Sequence, residues 1–566
     1  MRARARTGAI SAYHLHAMRV IGLALVLGCL PWSLAGCGDD DGAPAGLDSG
    51  VDAGGDDAGP GDAAFVCPTG VRDWGLLDAG VEGDSPPFPS SAGPDGGGLP
   101  PFLWGTATAP FQVEGSNVDS DWHRWEQMPG RIANGDLSEN GPDHYTKFRE
   151  DTALMAADGM NGYRMGIEWA RIFPTRESFD TLTPDAAAVA HYHDELADLR
   201  AHGIHPMVTI HHFVSPAWWV DPGATLEMRR TMGFGSDTAA ADTAKWARWV
   251  AGEYGADVDL WITINEPIGI ILQGYLTGAW PPGIAFDVPT ILRALRGLVY
   301  SHAAMYDAVH EADTFDADGD GHAALVSIAH HMRVMVGQSS CSTRDWDAAR
   351  QLDYVVNRFF LEAIVRGNFD ANADGDVDDA DDRRADPVLV DRADFIGVNY
   401  YGISTVSGAV PLSPEVPGVP AIPNTVLPLP KTDLRWDIYP AGFRTVLDEA
   451  AEYGKPLYVT ENGIADSAGT MRGRFLVEHL HVLAQAIAAG IDVRGYFHWS
   501  LMDNFEWSEG FCPRFGLYRV DLTDPTRARI PTAGATAYRS IIAAGRVTST
   551  LIDENPDYGT PVRCGG

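Results

Sequence analysis

Two glutamate residues in this sequence stand at the ends of short apolar runs. Glu266 follows the run in WITINEP at residues 261–267, and Glu461 lies in LYVTENG at residues 457–463. A carboxyl group in such a place is costly to bury unless it is solvated, paired or used in chemistry. Each glutamate is therefore either a structural carboxylate in an ion pair or a functional acid, base or nucleophile.

Other polar and aromatic residues end or follow further apolar runs. They are Arg164, His211, His212, Asn265, Asn399 and Trp499. In a barrel of parallel strands such residues would converge, because active sites lie at the C-terminal ends of the strands. Their shared position is stronger evidence for a site than either glutamate segment alone.

The elements that must position these residues are short apolar runs alternating with longer helical patterns, as in βα units. Eight strands are predicted, at residues 102–107, 162–167, 205–210, 260–265, 324–329, 394–399, 457–461 and 493–499. Helices are predicted at residues 143–158, 184–202, 239–254, 290–311, 346–365, 441–453 and 475–489. The alternation predicts an α/β fold, a single (β/α)8 TIM barrel with long loops.

Six segments, in this order, resemble those of glycoside hydrolase family 1, the family of β-glucosidases and β-galactosidases. They are FLWGTATAPFQVEG at 102–115, EWARIFP at 168–174, WITINEP at 261–267, DFIGVNYY at 394–401, LYVTENG at 457–463 and HWSLMDNFEW at 498–507. The resemblance implies a TIM barrel that hydrolyses β-glycosides with retention at the anomeric carbon. It implies no cofactor for catalysis.

The resemblance also implies catalytic roles for five residues. Glu266 would be the general acid/base and Glu461 the nucleophile, with their carboxyl groups about 5 to 5.5 Å apart across the scissile bond. Arg164 would keep Glu461 ionised, Tyr401 would donate a hydrogen bond to it, and Asn265 would belong to the same group. A generic barrel ion pair is the alternative for Arg164, and a core tyrosine with a satisfied hydroxyl is the alternative for Tyr401.

Sugar binding is implied for a further set, which comprises Gln112, His212, Asn399, Trp499, Glu506, Trp507 and Phe515. Polar groups suit sugar hydroxyls and an aromatic face suits the C–H side of the ring, although a structural role is the alternative for each residue. A carboxylate at Glu506 would repel phosphate. It therefore favours an unphosphorylated glycoside, such as a glucoside, galactoside or fucoside.

Two departures from the family pattern fall on the leaving-group side. Ile268 stands where many members have tryptophan, and IHHF at residues 210–213 replaces the usual Tyr-His-Trp. The implied function is a retaining β-glycosidase that removes the terminal non-reducing glycosyl residue of a β-glycoside. A surface glycan receptor on an inactive scaffold and a transglycosylase are the alternatives, and the preferred glycone and aglycone stay open.

The N-terminal sequence predicts export. An arginine-rich start, an apolar run at residues 21–30 and LAGC at 34–37 indicate a signal peptide, residues 1–36, that ends in a bacterial lipobox. Cys37 would carry the lipid, and an ordinary cleaved signal with a chance cysteine is the alternative. We expect an outer-membrane lipoprotein, periplasmic or on the cell surface, with a disordered acidic linker at 37–98, the barrel at 99–548 and a C-terminal tail at 549–566.

The strongly negative net charge limits the kinds of partner that this protein can bind. Lys and Arg number 41 against 77 Asp and Glu, a formal net charge of −36. Such a field repels phosphate backbones and anionic lipid head groups. We therefore expect a β-glycoside substrate, no nucleic acid, and membrane contact only through the lipid anchor, while the oligomeric state stays open.

Four cysteines would remain after processing, and they can pair in three ways. The preferred prediction is Cys67 with Cys564 and Cys341 with Cys512.

Residues 370–381, DANADGDVDDAD, fit a calcium loop of the EF-hand or dockerin kind. The predicted ligands are Asp370, Asn372, Asp374, Asp376, Asp378 and Asp381. Such a calcium ion would be structural, and a solvated acidic loop is the alternative.

Overall fold

The computed structural model describes residues 76–89, 102–408, 420–424 and 427–564, with the backbone alone for residues 420–424. The strands of its main sheet are β1 (Leu103–Ala107), β2 (Gly162–Gly166), β3 (His205–His211), β4 (Leu260–Asn265), β5 (Leu325–Gly337), β6 (Ile396–Gly408), β7 (Pro420–Asn424), β8 (Leu457–Gly463) and β9 (Val493–Trp499). All except β7 are parallel, and the pairing of β5 with β6 closes them into a ring. The predicted (β/α)8 TIM barrel is confirmed.

Three shorter strands lie outside the ring. The strand β7 pairs antiparallel with the extended end of β6, and β10 (Tyr518–Val520) pairs with β11 (Arg529–Pro531). Both β5 and β6 continue well past their predicted ends, because their paired extensions remain largely buried beyond the barrel.

Helices surround the barrel and connect its strands. Their bounds are Pro110–Val113, Asp121–Glu126, His144–Ala157, Trp169–Ile172, Arg176–Thr181, Ala186–Ala201, Leu226–Arg229, Ala239–Tyr254, Pro267–Ile270, Val288–Ala312, Thr343–Asp353, Phe359–Arg366, Pro440–Ala451, Arg472–Ala488, Ala533–Ala544 and Ser549–Glu554. Two π-helical turns, Ile271–Leu276 and Tyr354–Arg358, extend the helices beside them. Apolar side chains face inward, as in Val288–Ala312, which packs along Ala239–Tyr254.

The sheet is irregular where several strands end. Register shifts fall between Ile262 and Asn265 of β4, and between Val398 and Asn399 of β6. A third shift falls between Val459 and Asn462 of β8 and so includes Glu461. Irregularities of this kind re-aim side chains at the rim of a barrel, and here they lie beside the predicted catalytic residues.

Part of the predicted linker is docked on the barrel. The Phe88 side chain is buried against Phe102 and Trp104, and Ser85 N–H donates to the Val547 carbonyl at 2.8 Å. An aromatic side chain gives this stretch apolar area to bury, which the Gly- and Asp-rich stretch before it lacks. The predicted signal peptide and Cys37 lie outside the described residues.

The predicted disulfide pairing is wrong. Cys512 is bonded to Cys564, with their Cα atoms 5.5 Å apart, and Cys341 is also disulfide-bonded. The bond ties the predicted C-terminal tail to a loop near the end of β9, a proximity that spacing along the chain does not reveal. Within the described residues, no helix is both long enough and apolar enough to cross a membrane.

Candidate active site

Glu461 is held from two sides at the end of β8. Arg164 donates from Nη1 to Glu461 Oε1 at 2.6 Å, and the Tyr401 hydroxyl donates to Glu461 Oε2 at 2.6 Å. All three side chains are buried. Charge-assisted hydrogen bonds of this length favour the ionised carboxylate and fix its orientation.

Glu266 stands at a sharp turn between β4 and the helix Pro267–Ile270. Its backbone is left-handed, with φ 40° and ψ 64°, which is an uncommon conformation for a residue with a side chain. The turn directs the carboxyl group into the mouth of the barrel, where Asn399 Nδ2 donates to Oε1 at 3.0 Å. The His331 ring, with Nδ1 3.3 Å from the same oxygen, is its second partner.

Asn265 connects the two glutamates. Its Oδ1 accepts from Arg164 Nη2 at 2.7 Å and from Asn399 Nδ2 at 3.2 Å. Its amide nitrogen therefore faces His212 Nε2, 3.0 Å away. Because that ring nitrogen accepts a hydrogen bond, the proton of the neutral His212 ring lies on Nδ1.

Burial and mutual repulsion shape the titration of the two carboxyl groups. Burial raises the pKa of Glu461 to about 7; Arg164 opposes that shift and the charge of Glu266 adds to it. Burial acts on Glu266 in the same direction, but His331, Asn399 and Arg164 outweigh it and lower the pKa of Glu266. The pair therefore retains a proton more readily than two exposed carboxyl groups would.

The two glutamates open onto one small cavity of about 290 Å³. Its other lining residues are His212, Phe213, Asn265, Tyr401, Trp436, Trp499, Glu506, Trp507 and Phe515. Aromatic rings form most of this wall, and His212 lies nearly parallel to Trp499 at 5.8 Å between ring centroids. The predicted residues Arg164, Asn399 and Gln112 are buried behind the wall and hold its polar groups.

Glu506 lines this cavity, and Gln112 lies behind it. Its Oε2 accepts from Asn504 Nδ2 at 2.7 Å and from Gln112 Nε2 at 3.3 Å. Burial raises the pKa of Glu506 to about 8, with contributions from the charges of Glu461 and Glu509. Burial therefore favours the neutral form of Glu506, and a neutral carboxyl group opposes phosphate less than the predicted carboxylate would.

Two buried polar atoms near the cavity have no partner among the described residues. They are Nδ1 of His212, which carries a proton, and Oε1 of Gln112, which can only accept. A buried polar atom without a partner is costly, and a ligand can supply the missing hydrogen bond. One donor and one acceptor in this position suit the hydroxyl groups of a sugar.

The predicted calcium loop lies away from this site. Asp370 turns inward and accepts from the backbone N–H groups of Ala373 and Gly375 at 2.7 and 2.9 Å. Carboxylate oxygens of Asp378, Asp379 and Asp382 lie within 4.8 Å of one another and could hold one metal ion. Only Asp378 of these was among the predicted ligands, so the ligand set and the presence of calcium stay predictions.

The structure also brings in residues that the sequence reasoning missed. His331 and Arg333 lie on the unpredicted extension of β5, and Trp436 lies in the loop before the helix Pro440–Ala451. None of them lies in one of the catalytic segments. The folding of the barrel brings them close to the site, although they are distant from those segments in the sequence. The position of His331 two residues beyond a predicted strand end was the only available signal.

Comparison with known proteins identifies relatives of the whole barrel. The family profile described as Glycosyl hydrolase family 1 matches residues 99–546. A β-galactosidase from Pyrococcus woesei is 32% identical over 510 residues, covering 80% of this chain and 98% of the relative. The β-glucosidase A of Thermotoga maritima is 30% identical over 467 residues, covering 78% of this chain and 96% of the relative.

A solved structure is similar as well. The β-glycosidase from Pyrococcus horikoshii superposes with a TM-score of 0.67 at 34% identity, covering 81% of this chain and 97% of that chain. The profile spans the whole barrel and its strand ends, including both glutamates. The chain therefore belongs to glycosyl hydrolase family 1.

Proposed function

We propose that in this retaining β-glycosidase Glu461 is the nucleophile and Glu266 the general acid/base, acting on a terminal, unphosphorylated glucose-like or galactose-like residue. The observation that carries the assignment is the asymmetry of their partners. Glu461 has a permanently charged arginine and a hydroxyl donor, each at 2.6 Å. Glu266 has an amide donor at 3.0 Å and a histidine ring nitrogen at 3.3 Å.

The first step requires a proton on Glu266 and a charge on Glu461. Arg164 stabilises the negative charge on Glu461, and that charge disfavours a second one on Glu266, so the proton that the pair retains lies on Glu266 in the reacting state. Glu461 then attacks the anomeric carbon as Glu266 gives its proton to the glycosidic oxygen. The C–O bond to the leaving group breaks, and a glycosyl ester of Glu461 forms.

The second step uses the same groups in reverse. Esterification removes the charge of Glu461, so Glu266 loses a repelling neighbour and can serve as a base. Glu266 takes a proton from water while the water oxygen attacks the anomeric carbon and the ester bond breaks. The sugar leaves with its original configuration, and both carboxyl groups return to their starting states without any cofactor.

The size and lining of the sugar cavity support the proposed substrate. The cavity is small, about 290 Å³ including space open to solvent, and its histidine and tryptophan side chains suit the hydroxyl groups and the C–H face of a sugar ring. Among the described residues, no lysine or arginine lines this cavity, so no cation in that lining compensates the charge of a phosphorylated sugar. The relatives of this chain include both a β-galactosidase and a β-glucosidase.

Initial rates on nitrophenyl β-glycosides test the glycone. The panel holds the glucoside, galactoside, fucoside, mannoside and xyloside, with the 6-phosphoglucoside as the charged counterpart. We expect the glucoside or galactoside to have the highest kcat/KM and the phosphorylated sugar to be a poor substrate. A preference for the 6-phosphoglucoside would refute the proposed specificity.

Replacement of the nucleophile tests the roles. Glu461→Gly should abolish turnover, and added azide should restore it by forming a glycosyl azide of inverted configuration. Glu266→Ala should lose kcat/KM on substrates with poor leaving groups but keep much of it on dinitrophenyl glycosides, which leave without protonation, while kcat falls because the second step lacks its base. Normal turnover by Glu461→Gly would exclude its assigned role.

We also propose that the protein is an exported lipoprotein anchored through Cys37. The support is the apolar run at residues 21–30 followed by LAGC at 34–37. Cell fractionation with labelled palmitate tests this: wild-type protein should carry label in the outer membrane, and Cys37→Ala should be unlabelled. Label that persists in Cys37→Ala would disprove lipidation at that residue.

A further inference from the structure

A second cavity begins on the other side of Glu266. It encloses about 540 Å³, part of it open to solvent, and Glu266 is the one residue it shares with the sugar cavity. Because the acid/base gives its proton to the departing oxygen, the leaving group must pass Glu266 on this side. The second cavity is therefore where the leaving group lies.

Most of this cavity is apolar, but it contains a buried cation. Ile268, Leu352 and Val356 belong to its apolar wall, and Arg333 is among its few charged lining residues. Arg333 is only 3% exposed to solvent. Burial lowers its pKa to about 10, so the guanidinium stays charged at neutral pH.

Arg333 has few partners for its charge. Its Nη2 donates to the Ile403 carbonyl at 3.3 Å, and its guanidinium carbon lies 6.0 Å from the centre of the Trp436 ring. The buried Nε has no hydrogen-bond partner in the described part of the chain. No Asp or Glu of the described residues lies within ion-pair distance of Arg333, unlike Arg164, which is paired with Glu461.

The backbone around Arg333 is tightly positioned. Met332 pairs with Tyr400 and Val334 with Ile403, so two residues of β6 lie opposite Arg333 in a bulge. The Asn357 side chain binds the Arg333 backbone on both sides, accepting from its N–H and donating to its carbonyl, each at 2.9 Å. The guanidinium is therefore presented to the cavity by a fixed backbone rather than by a mobile loop.

A buried cation without a counter-ion is costly, and a ligand that supplies the missing negative charge recovers much of that cost. The planar guanidinium matches a carboxylate with two parallel hydrogen bonds. Ile268, Leu352 and Val356 meanwhile suit an apolar body. Glu266 is neutral before it donates its proton, so it does not repel an anion when the substrate binds.

We propose that the leaving-group subsite selects an aglycone with an apolar body and a carboxylate, which Arg333 binds. The proposal rests on the proposed roles of Glu266 and Glu461, because these identify the second cavity as the leaving-group side. The glycone, bound in the other cavity, is not affected.

Matched aryl glycosides test this selectivity. The 3- and 4-carboxyphenyl β-glycosides are compared with their carbamoyl analogues, which have nearly the same shape and no charge, on wild-type protein and Arg333→Met. In each protein, kcat/KM for the carboxyl substrate is divided by kcat/KM for the carbamoyl substrate. Comparing this ratio between the two proteins cancels the difference in intrinsic reactivity of the two substrates. We expect this ratio to fall about tenfold or more in Arg333→Met for at least one ring position, as for loss of a charged hydrogen bond.

Three controls separate the possible outcomes. Met335→Leu, which alters an uncharged residue of the same cavity, should change both kcat/KM values by the same factor. Arg333→Lys should keep only part of the preference for the carboxyl substrate. Lysine retains the positive charge but cannot form the two parallel hydrogen bonds of a guanidinium. If thermal unfolding shows that Arg333→Met does not fold, Arg333→Gln takes its place.

An unchanged ratio at both ring positions would overturn the role of Arg333, even though the carbamoyl glycosides are hydrolysed. Failure of wild-type protein to hydrolyse either carbamoyl glycoside would instead count against the proposed glycosidase site itself. The two failures are therefore distinguishable.

Discussion

At the scale of single residues, the site depends on which partner each carboxyl group has. Arg164 and Tyr401 bind Glu461 directly, whereas Asn265 and Asn399 connect that group to Glu266. Most of these side chains are buried, so each hydrogen bond acts where the effective dielectric is low and the loss of a partner is felt strongly.

Removal of the Tyr401 hydroxyl should impair catalysis without unfolding the protein. Tyr401→Phe deletes the 2.6 Å hydrogen bond to Glu461, and loss of a hydrogen bond to a charged group costs about 1.5–3 kcal/mol. We expect kcat/KM on the preferred nitrophenyl glycoside to fall roughly 10- to 100-fold. Steady-state kinetics and thermal unfolding measure the two effects separately.

The neighbouring tyrosine is the matched control. Tyr400 donates to the Tyr439 carbonyl at 2.6 Å and points away from the carboxyl pair. Tyr400→Phe should lower the free energy of unfolding by about 1 kcal/mol and leave kcat close to wild type. If both variants lost activity equally, a specific role for Tyr401 would be untenable.

His331 should control the alkaline limb of the pH–rate profile. Its contact with Glu266 contributes to the lowered pKa of that carboxyl. In His331→Asn the pKa of Glu266 rises, so the acid keeps its proton to higher pH. The alkaline limb of kcat/KM should then move upward, on the order of one pH unit. An alkaline limb that stays in place or moves to lower pH would contradict this assignment.

At the scale of elements, buried ion pairs join helices on the outside of the barrel. His144, at the start of the helix His144–Ala157, binds Asp151 at 2.8 Å and Glu195 of the helix Ala186–Ala201 at 3.0 Å. Arg529 of β11 binds Asp151 as well. His144, Asp151 and Glu195 are all buried, which ties the packing of these helices to one proton on His144.

The stability of this cluster should depend on pH in a defined direction. Burial opposes charge on His144, but Asp151 and Glu195 outweigh it and raise its pKa from 6.5 to about 10. A pKa raised in the folded state gives stability that is complete below about pH 6.5 and lost as the pH rises towards 10. His144→Gln should therefore be destabilised strongly at pH 6, by about 3–5 kcal/mol.

Urea denaturation at pH 6 and pH 9.5 measures this dependence. The difference between wild type and His144→Gln should shrink at the higher pH, because wild-type protein loses part of the same interaction. A difference that grows with pH would mean that the imidazole is not held in its charged form.

At the scale of the whole molecule, the C-terminal residues close over the rim that carries the sugar site. The disulfide between Cys512 and Cys564 spans 52 residues, and Cys512 follows Glu506 and Trp507 closely in the chain. Val562 N–H also donates to Asp433 Oδ1 at 2.7 Å. The end of the chain thereby restrains the loop that lines the sugar cavity.

Loss of this disulfide should lower stability more than activity. Closure of a loop of this length restricts the unfolded chain by about 4 kcal/mol in the entropic account. We expect Cys564→Ser to lower the free energy of unfolding by about 2–4 kcal/mol while KM changes little. Calorimetry and steady-state kinetics test this, with wild-type protein under reducing conditions as the comparison. Unaltered unfolding in Cys564→Ser would show that the bond contributes nothing.

The sequence by itself determined the barrel, the family and the two glutamates, because these depend on local patterns. Buried parallel strands are short apolar runs, and the ends of those runs mark the rim where polar side chains meet. Segments such as WITINEP and LYVTENG could therefore be assigned to one site although almost two hundred residues separate them.

Only the tertiary structure decided which residues complete that site. His331 and Arg333 lie on a strand extension that exists because β5 and β6 stay paired beyond the barrel. The pairing of Cys512 with Cys564 and the raised pKa of Glu506 likewise depend on proximity and burial. Distance through space and exclusion of water have no local pattern along the chain, so these features could not be predicted from it.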